Sequence, residues 1–122
     1  MAAAKIDFEA LDNAGRSSAS KGKPIDFVHL DNQTMGDKAL ESEVLQLFAR
    51  QARQAMIDIA GTDSDRRSQA AHRLNGAALA VGAVNVAKAA AAIERDPADA
   101  TLQSTLSVAV LETELFILKL CR

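Results

Sequence analysis

The 122 residues predict an all-α fold, an antiparallel up-down four-helix bundle with a short N-terminal helical segment or two before it. Alanine, the strongest helix former, fills 25 positions. Proline occurs only at positions 24 and 97, so a run of about seventy residues carries no helix breaker. Apolar residues recur at three- and four-residue steps through that run and beyond it. Aromatics are 3% of the chain, with no Trp and no Tyr, too few for an aromatic β core or a base-stacking surface.

Residues 1–23 stand apart as an N-terminal extension and linker, and residues 24–122 form the bundle domain. The Gly/Ser/Lys-rich stretch AGRSSASKGK, residues 14–23, reads as a flexible linker. Before it stands KIDFEALDN (5–13) and after it PIDFVHLDN (24–32), which share I-D-F-x-x-L-D-N. One pair is too little for a solenoid. Two readings stand. Both copies are short capped helical turns with a Phe and a Leu on one side, or the first copy imitates the second and can occupy its groove, or a partner's.

The first long helix starts after Asp37 as N-cap, with Leu40, Val44, Leu47, Phe48, Ala52, Ala55 and Ile59 as its apolar positions. Glu41 and Glu43 with Arg50 and Arg53 read as its solvated face. Gly61 is expected to end it as a C-cap. Asp63 and Ser64 start the next helix, which runs through His72 to Val81 and breaks at Gly82. An alanine-rich third helix covers residues 84–94 and ends at Asp96 and Pro97. The last covers residues 98–120, with Leu102, Leu106, Val110, Thr113, Phe116, Ile117 and Leu120 as its stripe.

Hydrophobic residues are 48% and charged residues 25%, as in ordinary globular domains. The net charge is −2 and no like-charge block exceeds Arg66 and Arg67, so neither nucleic acid nor a membrane surface is an expected partner. The single cysteine, Cys121, fits a reducing compartment and reads as incidental. With no signal pattern and no uninterrupted apolar run near 18 residues, a cytoplasmic location is expected.

Reactive groups are few. No CxxC, HExxH or EF-hand pattern predicts a metal site, and no glycine loop or serine elbow predicts nucleotide binding or hydrolysis. His29, between Val28 and Leu30, reads as a surface or capping residue. His72 is different. With about 100° per residue, Ala70, Leu74, Ala77 and Val81 lie roughly 140–200° away from it and form the buried stripe. Ser68, Gln69, Asn75, Gly76 and Leu79 lie within about 60° of it on the outer face. A mid-helix glycine costs about 0.5–1 kcal/mol relative to alanine, and close approach of another backbone would explain it. Leu79, apolar and on that same face, suggests a docking protein. A surface histidine beside a tolerated glycine is the other reading, and helical geometry leaves both open.

The stretch AHRLNGAALAVGA, residues 71–83, resembles the signature of histidine phosphotransfer (HPt) domains, A-H-x-L-K-G-[SA]-[SA]-x-x-[LIV]-G. The segment at residues 25–31, the Leu/Phe run reaching Phe48 and the alanine-rich helix closing on Ile93 and Glu94 fit the same family, so the resemblance spans residues 25–120. It implies a four-helix bundle whose exposed histidine carries a phosphoryl group between receiver-domain aspartates. His72 would be the phosphorylated nucleophile, attacking an acyl phosphate without a pocket of its own. Gly76 would be the gap that admits a receiver, with Leu79, Gln69 and Ser68 on the docking face. The family places lysine where this chain has Asn75, which donates a hydrogen bond but brings no charge. Arg73 and Lys88 are the candidate substitutes beside the phosphoryl group.

On this resemblance the protein is a phosphocarrier, not an enzyme. It needs no cofactor, the Mg²⁺ coming from the receiver. Its expected partners are response-regulator receiver domains and a (hybrid) sensor histidine kinase, and it acts as a monomer. One rival is an HPt-like adaptor that binds a receiver or kinase without being phosphorylated, which Asn75 keeps open. The other is a helical subunit or ligand-binding domain unrelated to phosphorelay, which a buried His72 would favour.

Overall fold

In the computed structural model, residues 23–61 and 63–121 are described, and they form five helices and no strand. The first copy of the repeat and residues 14–22 of the expected linker lie outside them. The helices are α1 (Phe27–Thr34), α2 (Lys38–Ile59), α3 (Ser64–Val81), α4 (Val84–Arg95) and α5 (Ala100–Leu120). The four long helices pack in a ring, α2 on α3, α3 on α4, α4 on α5 and α5 on α2, while α1 lies against α2 and α3.

Aspartate starts four of these five helices. The carboxylates of Asp26, Asp37, Asp63 and Asp99 accept from backbone N–H groups two or three residues on, filling donors that the first turn leaves free. Gly82 ends α3 in the left-handed conformation at φ 80°, as its position predicts. Gly61 does not end α2 in the left-handed conformation of a glycine cap: Ala60 is right-handed, the Gly61 N–H donates to the Asp58 carbonyl at 3.2 Å, and the Ile59 carbonyl is taken by another group.

That group is Arg67 on α3. Its Nε donates to the Ile59 carbonyl at 2.9 Å, one terminal nitrogen donates to the Pro97 carbonyl at 2.5 Å, and the other to the Gly61 carbonyl. One guanidinium thus ties the end of α2 to the connection between α4 and α5. Its fixed fork of donors suits it to such a junction better than lysine.

The core is aliphatic and alanine-rich, as the composition implies. Leu45, Phe48, Ala52 and Ile59 of α2, Leu74, Ala78 and Val81 of α3, Val86, Ala90 and Ile93 of α4, and Leu106, Val110 and Ile117 of α5 are all buried. The expected stripes need adjustment at their edges. Leu40 and Leu47 are exposed and Leu45 is buried in their place. Ala77 is half-buried while Ala71 and Ala78 are fully buried, because α3 is covered by both α2 and α4. Leu120 is exposed, and α5 also leaves Val108, Leu111, Leu115 and Leu118 open to solvent.

The supposed solvated face of α2 is mixed. Glu41 is buried and meets Lys38 at 3.3 Å, and Lys38 also reaches Asp31 of α1 at 3.4 Å. The hydrogen bond shared with Asp31, and then burial, push the Glu41 carboxyl above its ordinary value. The same contact and Lys38 hold Asp31 below its own. Arg53 crosses to Glu114 of α5 at 2.6 Å.

The second copy of the repeat is docked. Ile25 and Leu30 are fully buried, and Phe27 packs at 5.8 Å between ring centroids on Phe116 of α5. The Asp26 N–H donates to the Gly82 carbonyl at 2.8 Å, fixing the start of α1 to the turn between α3 and α4. A Cβ on Gly82 would stand 2.8 Å from the Asp26 carbonyl oxygen, so glycine is required there by contact as well as by φ. His29 is not a free surface residue. It is half-buried, and its Nε2 is buried with no hydrogen-bond partner among the described residues.

Candidate functional site

His72 sits in the middle of α3, one residue after the buried Ala71 and two before the buried Leu74. That register turns its imidazole outward, with the side chain 72% exposed. The ring is nonetheless held. Its Nδ1 lies 2.7 Å from Oε2 of Glu94, near the end of α4. An ionised carboxylate can only accept, so Nδ1 is the donor in this contact, and Nε2 faces away from Glu94. Glu94 is half-buried and fixed at the last turn of α4, so it orients the ring without screening it from solvent.

Gly76, one turn along from His72, is exposed, and a Cβ built on it would meet nothing within 4 Å. The domain's own packing therefore does not require glycine at this point. Leu79, on the same helix face, is 58% exposed. Gln69 is exposed as well, but Ser68 is half-buried and its hydroxyl donates to the Glu94 carbonyl at 3.3 Å. Ser68 thus braces the residue that holds His72 instead of presenting itself to a partner.

No hydrogen bond joins either cationic candidate to the imidazole among the described residues. Arg73 turns toward α2, where it lies 3.7 Å from the Asp58 carboxylate and lines a cleft with Gln51, Gln54 and Ala77. Lys88 is exposed on α4, six residues before Glu94, which is about 9 Å of helix rise. Asn75 is half-buried three residues after His72, and no hydrogen bond joins it to the ring among the described residues. Nor does any group of three or more His, Cys, Asp or Glu able to hold a metal ion occur among them. Cys121 is half-buried and accepts from the Ser42 hydroxyl at 3.3 Å.

Glu94 is the site residue that sequence reasoning did not assign. The signal was present as the end of the alanine-rich helix, but a carboxylate in a last helical turn is a common surface residue. Only the packing of α4 on α3 places it against His72.

A family model described as Hpt domain matches residues 40–115, which run from α2 through most of α5 and include His72, Gly76 and Glu94. No curated protein and no solved structure matches the chain. The match covers more than half of the sequence and the helical fold agrees with it, so the chain belongs to the Hpt domain family, the phosphocarrier modules of two-component phosphorelays.

Proposed function

We propose that His72 carries a phosphoryl group between receiver-domain aspartates. The observation that supports this is the geometry at one point: an exposed imidazole held at Nδ1 by Glu94 at 2.7 Å, beside a glycine whose missing side chain serves nothing inside the fold. In the forward step the Nε2 lone pair attacks the phosphorus of the receiver's acyl phosphate. The N–P bond forms as the P–O bond to the aspartate breaks, and the aspartate leaves as a carboxylate. The imidazole, still protonated at Nδ1, then carries positive charge, and the Glu94 carboxylate offsets it. Passing the group to a second receiver reverses these bond changes. The receiver supplies Mg²⁺ and the contacts to the transferring oxygens. This chain supplies the nucleophile, its orientation and the face formed by Gly76, Leu79 and Gln69.

In this reading residues 24–122 are the bundle domain, its four long helices run antiparallel and up-down, and it works as a cytoplasmic monomer between a sensor histidine kinase and response regulators. The test is transfer of labelled phosphate from phosphorylated receiver domains to the wild-type chain and to His72→Gln. Acid-labile, alkali-stable label on the wild type alone is the expected result. Label on both, or label elsewhere in the chain, overturns the assignment.

One observation favours a second reading. Asn75 is uncharged where the family places lysine, and Arg73 is turned toward Asp58. An adaptor that binds receivers without accepting phosphate would leave both proteins unlabelled and bind His72→Gln as tightly as wild type.

A further inference from the structure

We infer that residues 6–13, the first copy of I-D-F-x-x-L-D-N, bind in the seat that residues 25–32 occupy on the same chain, so that the two copies exchange for one site. This inference stands apart from the phosphocarrier reading, since it uses neither His72 nor Glu94.

The seat is defined by what it takes from the second copy. Ile25 and Leu30 are buried completely, Phe27 packs at a tilt against Phe116, and the Asp26 carboxylate caps α1 at the N–H groups of Val28 and His29. The Asp26 N–H meets the Gly82 carbonyl, and the Asp31 carboxylate meets Lys38. The first copy repeats every one of these groups, as Ile6, Leu11, Phe8, Asp7 and Asp12. Within the eight shared positions the copies differ only at two. Val28, which is exposed, corresponds to Glu9. His29, whose Nε2 is buried without a partner, corresponds to Ala10.

Neither difference weakens the first copy as an occupant. A glutamate in the first turn of a helix is favoured by the helix dipole over valine. An alanine leaves no buried nitrogen unpaired and has the higher helix propensity. Within those eight positions every contacting group is kept and the copies vary only at an exposed one and an unsatisfied one, which two unrelated uses of the motif would not be expected to do; beyond them the buried Thr34, whose hydroxyl donates to the Leu30 carbonyl, has Gly15 as its counterpart.

The occupant is the same chain because the connection reaches. With the second copy seated, α1 runs on to Thr34 and residues 35–37 lead into α2. With the first copy seated, residues 14–36 would make that connection. A longer loop of this kind is closed at only a slowly growing entropic cost. No second protein is needed, and the effective concentration of a tethered segment is high.

The experiment uses the full chain. Ile25→Ala with Leu30→Ala weakens the second copy, Ile6→Ala with Leu11→Ala weakens the first, and a fourth protein carries all four changes. The expected result is that the second-copy variant loses less than half of the thermal midpoint lost by the fourfold variant, and that each protein sediments as a monomer. Phe8→Trp adds an independent readout, because the chain has no tryptophan of its own. Its emission should move to the blue when Ile25 and Leu30 are also changed to alanine, as the indole enters the seat beside Phe116. Equal loss in the second-copy and fourfold variants, failure of the second-copy variant to fold with the first copy intact, or emission that stays at the solvent-exposed wavelength would overturn the inference. A dimer in the second-copy variant would overturn the assignment to a single chain.

Discussion

The Nδ1 nitrogen of His72 and the Oε2 oxygen of Glu94 lie 2.7 Å apart, across the contact between α3 and α4. The pair joins an exposed ring to the end of a neighbouring helix, so one orientation of the ring is favoured by the contact. Glu94→Gln keeps the shape, but the amide carries no charge to set against the imidazolium of the phosphorylated state. Hydrogen bonds to charged groups are worth about 1.5–3 kcal/mol, so transfer from a phosphorylated receiver should slow about ten- to a hundredfold. Receiver affinity, measured separately by titration, should stay unchanged. Transfer at the wild-type rate would remove Glu94 from the mechanism.

Gly76 separates folding from docking. Since a Cβ there meets nothing within 4 Å, Gly76→Ala should raise stability by about 0.5–1 kcal/mol through helix propensity alone. Gly76→Leu should also fold, with an unchanged circular dichroism spectrum, yet lose receiver binding and transfer together. A Leu variant that binds and transfers at full rate would show that no partner approaches this face closely.

Gly82 should behave in the opposite way. At φ 80°, and with Asp26 backbone atoms in the way, Gly82→Ala should destabilise the domain by at least about 2 kcal/mol in denaturant unfolding. Two glycines six residues apart, one within α3 and one at its C-terminal cap, would then give stability changes of opposite sign.

The acidic cluster between α1 and α2 gives a pH signature. The Glu41 carboxyl is raised by its contact with Asp31 and then by burial, so its contribution is present at low pH and lost as pH rises through the raised value. Asp31 is lowered by Glu41 and Lys38, so its contribution is present at neutral pH and lost as pH falls through the lowered value. Glu41→Gln cannot ionise. Its stability relative to wild type should therefore climb as pH rises above the ordinary carboxylate range and through the raised value, and then level off. Asp31→Asn should show the reverse, falling further below wild type as pH rises from acid. Parallel pH curves for Glu41→Gln and wild type would mean that the contact with Asp31 does not persist in solution.

Much of this was legible in the sequence, for reasons that differ by element. Caps at Asp37, Asp63 and Gly82 act within a few residues, so local pattern suffices to place them. The outward register of His72 follows from Leu74 and Val81 facing inward on the same helix. Contacts between helices were not legible. Nothing near Arg67 announces that its partners are carbonyls at Ile59, Gly61 and Pro97, and the left-handed cap that the sequence predicts at Gly61 does not form. Arg73 was placed near His72 by sequence adjacency, whereas α2 supplies Asp58 on its other side. Leu47 and Leu45 differ by two positions on one helix, and only the angle at which α3 and α5 meet α2 decides which is covered.

The bond from Asp26 to Gly82 also orders events in time. α3 and α4 are joined by a two-residue turn and can meet early, since short loops close in far less than a microsecond. One anchor of α1 is absent until that turn exists, because the N–H of its cap residue Asp26 donates to the turn's own carbonyl. α1 is therefore expected to dock after α3 and α4 have met and to open before them. Native-state hydrogen exchange should find the amides of Asp26 and Leu30 opening by a local route, faster than that of Leu74, which is released only when the whole domain unfolds.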